Sequence, residues 1–179
     1  RDTHIRSDNP TTNYGATSPS VTDGDAPDSS CIIKWDISSL PQDATVTAVT
    51  ITVNVTDESD DTYGIYEMKR DWVEGNGTSG SGADWNTYDG STNWGTAGAQ
   101  STTDRGSTLL GSITSPGATG LKTITLNSSG VALVQAWING TKTNYGLIFQ
   151  EYTGATNGIQ WTSREGATAS NRPKLTITY

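Results

Sequence analysis

Apolar and polar residues alternate along much of this chain with a period of two, which is typical of β-strands. Leu175 and Ile177, for example, alternate with threonines near the end of the sequence. Polar turns separate such segments, and Pro41 stops a more continuously apolar segment that begins at Ser30. The pattern predicts strands over residues 2–6, 18–22, 30–37, 45–57, 62–70, 107–114, 121–126, 145–151, 158–163 and 174–179.

The segment over residues 45–57 changes its polarity partway. Its apolar residues stand at even positions as far as Ala48 and at odd positions from Val49 to Val55. A shift of one residue turns side chains to the opposite face of a strand, so we expect a β-bulge or a change of sheet near Ala48. Beyond that point Asn54 and the threonines should face outward.

One segment has helical spacing. Apolar residues recur there at intervals of three and four, on one stripe of a helix: Val131, Val134, Trp137 and Ile138. Asn127 or Ser128 can cap its start, and Gly140 can end it. We expect this helix to lie across one end of a sheet structure.

Many short strands and a single helix predict an all-β fold, a jelly-roll-like two-sheet sandwich with one short helix near the C-terminal third. The 179 residues suffice for one core without disulfides, so we expect a single β-sandwich domain over residues 1–179, a module of a larger secreted or surface protein. Cys31, the lone cysteine, lies between apolar residues and is expected in the core. The long loop over 74–106 carries Trp85, Tyr88 and Trp94, and a loop of this length is either functional or loosely ordered.

The charge and composition of the chain limit the classes of partner that it can bind. The chain has 11 Lys and Arg against 19 Asp and Glu, a net charge of -8, which argues against nucleic acid and anionic membranes. No apolar run approaches the roughly 20 residues of a membrane-spanning helix. Ser, Thr, Gly and Asn are abundant and lysine is scarce, a composition typical of exported proteins, so we expect an extracellular or cell-surface location.

Short motifs spread over nearly the whole chain resemble, in order, those of the DNRLRE-type domain. They are D-T-H-I-R from Asp2, N-P-T-T-N-Y-G from Asn9, K-W-D-I-S-S-L-P from Lys34, W-V-E-G from Trp72, A-W-I-N-G from Ala136, N-Y-G-L-I-F from Asn144, and T-S-R-E ahead of R-P-K-L-T-I-T-Y. That family also covers disaggregatase-related domains of archaeal surface proteins and a carbohydrate-binding module family. The resemblance implies a jelly-roll module of secreted polysaccharide-active enzymes or surface proteins. This chain departs from the family in its expanded loop over 75–106, where Trp85 stands in place of a shorter T-W-x-x-x-P segment.

Sugar recognition needs flat aromatic faces for the C–H surface of a pyranose ring, with amides and carboxylates beside them for the hydroxyls. Two clusters offer both. One lies in the long loop, and the other lies on the two penultimate strands. The candidate ligand-binding residues are Tyr88, Asp89, Asn93 and Trp94 in the first cluster, and Gln150, Tyr152, Gln160 and Trp161 in the second. The competing interpretation is that most of the six tryptophans belong to the core.

Catalysis is not expected. Glycoside hydrolysis needs two suitably spaced carboxylates. Glu67, Asp71 and Glu74 are near one another in sequence, and Glu67 with Asp71 could flank a groove, but no other feature supports catalysis. Basic neighbours would pair with such acids, and His4 stands in no nucleophile motif.

Acidic turns over 23–28 and 57–61 could gather the oxygen ligands that calcium prefers, although neither matches an EF-hand loop. The candidate metal ligands are Asp23, Asp25 and Asp28, and the alternative is a pair of solvated turns. We expect no required cofactor, with structural calcium as the one metal considered.

The sequence therefore predicts a non-catalytic polysaccharide-binding module of an extracellular or cell-surface protein. Polysaccharide is the expected partner, and other modules of the same chain or further copies of it are also considered; nucleic acid binding and membrane insertion are not expected. The alternative is a structural or adhesive subunit of a surface layer, fibre or filament, in which the aromatic loop would be a protein interface.

Overall fold

The computed structural model describes residues 1–115 and 117–179. The chain forms an all-β, two-sheet sandwich with one helix, as the pattern predicts. Each predicted strand segment overlaps one of the strands β1 (Asp2–Arg6), β2 (Ser20–Thr22), β3 (Ser29–Ile33), β4 (Ala48–Asp57), β5 (Ser59–Glu67), β6 (Gly111–Ser115), β7 (Gly120–Thr125), β8 (Leu147–Gln150), β9 (Ile159–Trp161) and β10 (Lys174–Thr178).

All neighbouring strands are antiparallel. Sheet A has the order β1, β3, β8, β5, β6, and sheet B has the order β10, β4, β9, β2, with β7 also pairing with β4. Within the described residues, no helix is long and apolar enough to cross a membrane.

Strand β4 explains the change of polarity over residues 45–57. The strand begins at Ala48, so residues before it are not bound to its alternation, and Val46 reaches the core from the preceding turn. The irregularity in pairing lies later, between Val55 and Asp57 opposite β9. The prediction of a bulge near Ala48 is therefore wrong, because the start of a strand leaves the same polarity pattern as a bulge.

Helix α1 (Ser128–Ile138) follows the predicted stripe. Asn127 is its N-cap, and its side chain accepts hydrogen bonds from the backbone N–H groups of Ser129 and Gly130. The helix buries Leu133, Val134, Trp137 and Ile138 in the sandwich core. Gly140 follows its end with a φ of 75°, in the left-handed region that favours glycine.

Alternation along the strands of sheet A separates two apolar clusters. In β8, Leu147 and Phe149 point into the core between the two sheets, whereas Ile148 points to the outer face. In the core between the two sheets, Phe149 packs against Trp161 of β9, with ring centroids 5.1 Å apart. The inner core also takes the odd residues of β4, namely Val49, Ile51, Val53 and Val55.

The outer face of sheet A is covered by the loop over residues 74–106, which we call the loop layer. It contributes buried Ala83, Trp94 and Ala99 to a second apolar cluster. The members of that cluster from outside the loop are Ile5, Ile32, Met68, Trp72 and Ile148. The loop is therefore a packed third layer, and the expectation that it could be loosely ordered is wrong.

Candidate functional site

Three aspartates shape the loop layer through hydrogen bonds from backbone N–H groups. Asp84 accepts from Asn86 and Thr87, and Asp89 accepts from Ser91 and Thr92. The bonds from Thr92 and Ser91 hold the pKa of the Asp89 carboxyl down at about 2. Asp89 is thus a turn-forming residue whose oxygens are already engaged.

Asp104 is the more deeply buried of the two buried aspartates of the loop layer, at 0% exposed against 3% for Asp84. It accepts hydrogen bonds from the backbone N–H groups of Gly95 and Thr96, from the Ser101 hydroxyl and, at 3.1 Å, from the Arg70 guanidinium. Burial alone would raise its pKa, but these bonds outweigh burial and leave the pKa below its ordinary value. The carboxylate fixes the end of the loop onto sheet A.

The first predicted ligand cluster is brought together, but not as an exposed platform. Trp94 is 4% exposed, and its indole N–H donates to the Asp84 carbonyl at 2.9 Å. Tyr88 is half-buried beside it, at 5.7 Å between ring centroids, and only Asn93 is fully exposed. The expectation that Trp94 offers an open face is wrong, because burying the ring against the outer face of sheet A removes a large apolar area from water.

The second predicted cluster is divided between two places. Gln160, on β9, donates to Asp57 at 3.1 Å on the outer side of sheet B, and Trp161 is 0% exposed in the inner core. Trp161 therefore presents no face to a ligand. Gln160 and Trp161 are neighbours on one strand, so their side chains point to opposite sides of sheet B. Gln150 and Tyr152 lie elsewhere, together, in the wall of a pocket.

This pocket, which we call the tyrosine pocket, has a volume of about 230 Å³ and lies at the margin of the loop layer. Strand β5, the loop layer and the end of β8 with its following turn each supply part of the wall. The lining residues are Tyr66, Gln100, Arg105, Gln150, Glu151, Tyr152 and Thr153.

Among the described residues, two buried atoms of the pocket wall have no hydrogen-bond partner. Gln150 is 3% exposed; its Nε2 donates to the Gly98 carbonyl at 2.9 Å, but its Oε1 accepts from none of the described residues. The Nε of Arg105 is likewise buried and unpaired, while the guanidinium lies 4.5 Å from the ring centroid of Tyr66. Both atoms are closed off by their surroundings, so the polar groups that a ligand can reach are the more exposed ones of the wall, such as Gln100 and Glu151.

The remaining groups of the wall are held in place. The Tyr152 hydroxyl accepts from Ser30 at 2.6 Å and donates to the Gly98 carbonyl at 3.2 Å. Burial raises the pKa of Tyr152 well above its ordinary value, so the hydroxyl keeps its proton. Gly98 has a φ of 75°, and a Cβ there would lie 2.6 Å from the Trp85 ring. Only glycine allows the loop to approach this closely.

A larger cavity, the tryptophan cleft, lies at the opposite end of β8 and has a volume of about 530 Å³. It is lined by Arg1, Lys34, Trp35, Asp36, Ile37, Ser38, Trp137 and Asn144. Most of its polar groups are engaged: the Trp35 indole N–H donates to Pro173, the Asn144 amide donates to the Trp35 carbonyl, and Arg1 pairs with Asp71. Among the described residues, the Arg1 Nε and the Trp137 indole N–H have no partner. The cleft thus has the same number of unpaired buried atoms as the tyrosine pocket, around a larger cavity.

The acids considered for catalysis do not converge. Glu67 pairs with Lys142, Asp71 with Arg1, and Glu74 with Arg164. His4 is buried and stacked on Tyr14 at 4.2 Å, and burial together with the Arg6 charge lowers the pKa of its imidazole to about 3. An imidazole that stays neutral to this pH is a poor general acid.

The acidic turn with the predicted metal ligands is not a three-carboxylate group. Asp23 and Asp25 accept hydrogen bonds from N–H groups of their own turn, and burial with the nearby charges raises the pKa of Asp28. Throughout the described ranges 1–115 and 117–179, one set of three carboxylates has oxygens within 4.8 Å of one another, and it is Asp2, Glu74 and Glu165.

That set already contains a cation. The Arg164 guanidinium donates to Glu74 at 3.0 Å and pairs with Glu165 at 2.8 Å, while the Arg164 backbone N–H donates to Asp2. Burial raises the pKa of Asp2 to about 7, against the hydrogen bond from Arg164, and Glu165 raises it further. The cluster joins β1, the loop layer and the segment after β9 as a structural node.

Sequence reasoning missed Tyr66, Gln100 and Arg105 as pocket residues. Tyr66 follows core-facing Ile65 in β5, so alternation could have placed it on the outer face of sheet A. Gln100 and Arg105 carry no comparable signal, because the folding of the loop layer decides which sheet residues they meet.

Comparison with protein-family models and with curated proteins gives no match for this chain, so membership of the DNRLRE-type family stays a prediction from its motifs.

Proposed function

We propose that this chain is a non-catalytic polysaccharide-binding module of an extracellular or cell-surface protein. The observation that carries the proposal is the tyrosine pocket, where the rings of Tyr66 and Tyr152 meet the side chains of Gln100, Gln150 and Arg105. Aromatic rings suit the C–H face of a sugar, and amide, guanidinium and carboxylate groups suit its hydroxyls.

The accessible polar groups of the wall favour a hydroxyl-rich ligand. Gln100 is exposed, Glu151 is half-buried, and both line the pocket. Amide and carboxylate groups bond to sugar hydroxyls, whereas an apolar ligand would cover them without partners, at a cost of about 1–3 kcal/mol for each unpaired group. The pocket chemistry therefore supports a carbohydrate over a hydrocarbon.

A binding role rather than catalysis is supported by the carboxylates. Glu151 is the one acid among the described residues that line the tyrosine pocket, and its Oε1 accepts from the Thr153 N–H at 2.6 Å. Glycoside hydrolysis of the usual kind needs two carboxyl groups across the scissile bond. Retention without cleavage is the expected behaviour.

Affinity electrophoresis on acidic and neutral polysaccharides, with and without calcium, tests the proposal. We expect at least one polysaccharide to retard the chain, and Gln100→Ala with Glu151→Gln to reduce that retardation. Gln160→Ala is the matched control, because Gln160 lies on sheet B away from the pocket. Normal migration on every polysaccharide would overturn the proposal, and equal loss of binding in the control would overturn the assignment of binding to the tyrosine pocket.

A structural or adhesive subunit is the second candidate, and one edge favours it. Strand β7 pairs with β4 alone among the described strands, and its Leu121 is 62% exposed. An exposed edge with an apolar side chain can add a strand from another chain. Concentration-dependent assembly that Leu121→Lys abolishes, measured by sedimentation, would favour this candidate.

A further inference from the structure

The walls of the tyrosine pocket come from three directions and are fixed. The carbonyl of Gly98 is held by both Gln150 and Tyr152, so the loop layer is tied to the end of β8. On the β5 side, the Gly106 N–H donates to the Glu67 carbonyl at 2.8 Å. These hydrogen bonds hold the loop layer in a fixed position beside sheet A.

The size of the pocket limits what it holds. Pockets that take drug-sized ligands measure roughly 300–1,000 Å³, and the tyrosine pocket measures about 230 Å³. One pyranose ring is of this size, whereas a row of several rings needs an open groove.

The charge of the pocket limits the kind of sugar. Arg105 and Glu151 are the charged residues in its described wall, and they carry opposite signs. The Arg105 guanidinium is stacked on Tyr66, and Glu151 is engaged by Thr153. The wall as a whole therefore has no net charge, which matches a ring without a carboxylate or sulfate.

We infer that the tyrosine pocket binds the terminal residue of a neutral glycan chain rather than an internal stretch of it. This inference rests on the proposed function and adds the ligand class and the part of the chain that is recognised. Gln100 and Glu151, which line the pocket and are not buried, supply hydrogen-bonding groups that orient the ring.

Isothermal titration with neutral oligosaccharides of increasing length tests the inference. The probes are gluco-, manno-, xylo- and galacto-oligosaccharides of one to six residues, each also capped at one end by reduction or by methylation of the terminal hydroxyls. For the series that binds, we expect the affinity to stay within about twofold beyond the second residue, since further residues lie outside the pocket. Capping one end should lower the affinity about tenfold or more, whereas capping the other should not.

Two variants connect the result to the pocket. Gln100→Ala and Glu151→Gln should each weaken binding of the short oligosaccharides, and Gln160→Ala should not. Equal weakening in Gln160→Ala would overturn the assignment to this pocket.

Other outcomes separate this inference from the proposed function. Terminal recognition would be overturned if the affinity rose about tenfold or more from two to six residues, or if neither cap lowered it. The chain would still be a polysaccharide-binding module. Binding of oligogalacturonides alone would overturn the neutral class. Absence of binding to the oligosaccharides and to every polysaccharide in electrophoresis would overturn both.

Discussion

The two faces of sheet A are covered in different ways. On the inner face, Phe149 and its neighbours pack against sheet B in a core of apolar side chains. One residue further, Gln150 points to the outer face, where the loop layer rather than a second sheet covers it. A sheet meets a sheet with regular apolar alternation, whereas a loop brings its own polar backbone, and the unpaired groups of the tyrosine pocket lie on that side.

The two coverings are also held by different forces. The inner core removes continuous apolar area from water. The loop layer has a smaller apolar cluster, and backbone N–H groups also donate hydrogen bonds to the carboxylates of Asp84, Asp89 and Asp104. We therefore expect the outer layer to open more easily than the sandwich.

The largest difference should appear between two tryptophan truncations. Trp161→Ala removes a 0% exposed ring from the inner core and should lower the free energy of unfolding by about 3–5 kcal/mol. Trp94→Ala should lower it by about 2–3 kcal/mol, because the loop layer can detach while the sandwich stays folded. Urea unfolding measures both values.

Hydrogen exchange separates a local effect from a global one. In Trp94→Ala, exchange should speed up at loop amides such as Trp94 itself, whose N–H donates to Asn86, while the amides of β4 keep their protection. Equal acceleration in both places would show that the two faces unfold as one unit.

The pH dependence of stability should come largely from the inner side of β1. Burial lowers the pKa of His4 to about 3 from an ordinary value of 6.5, so its contribution to stability is present above 6.5 and is lost as the pH falls toward 3. Burial raises the pKa of Asp2 to about 7 from 3.8, so its contribution is present below 3.8 and is lost as the pH rises toward 7. Each has a slope of about 1.4 kcal/mol per pH unit, and the two cancel between 3.8 and 6.5.

Asp2→Asn should remove that cancellation. The variant should be more stable than the parent chain at pH 8 and should then lose about 1.4 kcal/mol per unit as the pH is lowered from 6.5 to 4, through His4 alone. Asp43→Asn, at an exposed aspartate, is the control and should keep the cancellation of the parent chain. Thermal unfolding across this pH range would contradict the assignment if Asp2→Asn gave the parent profile.

A smaller loss in the free energy of unfolding is expected for a variant at the contact between the loop layer and sheet A. Asp104→Asn weakens the pair with Arg70 and leaves an N–H of the amide facing a backbone donor, which should cost about 1–3 kcal/mol. Asp60→Asn, an exposed site on β5, should cost under about 0.5 kcal/mol. If both variants unfolded at the same urea concentration, the aspartate would not be what holds the layer.

The strands, the helix and the two-sheet sandwich could be predicted from the sequence, and the loop layer that covers the outer face of sheet A could not. Alternation in β4 and β10 and the stripe of helix α1 depend on neighbours along the chain, so the strands, the helix and the sandwich follow from them. The burial of Trp94 and Trp161 could not be predicted from such local patterns. An aromatic residue has the same local pattern in a platform as in a core, and tertiary packing alone decides between them.

The candidate site lies on the less predictable side for the same reason. Gln150 and Tyr152 were predicted from their residue types, and the structure places both in the tyrosine pocket. Their partners Gln100 and Arg105 are about 50 residues away in sequence, and only the fold of the loop layer brings them near. The acidic turn was predicted as a metal site from its three aspartates, and calcium binding there stays a prediction. In the structure the carboxylates of Asp23 and Asp25 accept hydrogen bonds from their own backbone, as short aspartate turns commonly do.

The last variant, Gln100→Ala, should have the smallest effect on stability and a large effect on polysaccharide binding. Gln100 is exposed at the rim of the tyrosine pocket, and its side-chain amide donates to the nearby Ala97 carbonyl at 3.1 Å. Gln100→Ala should therefore shift the melting temperature by no more than about 2 °C, in line with a change under about 0.5 kcal/mol in a chain of this length. Retardation on the polysaccharide that binds the parent chain should nevertheless fall, while Thr56→Ala, at an exposed position of β4, should change neither quantity. A large drop in melting temperature would mean that the rim of the pocket supports the loop layer, and the functional distinction between the two faces of sheet A would then be lost.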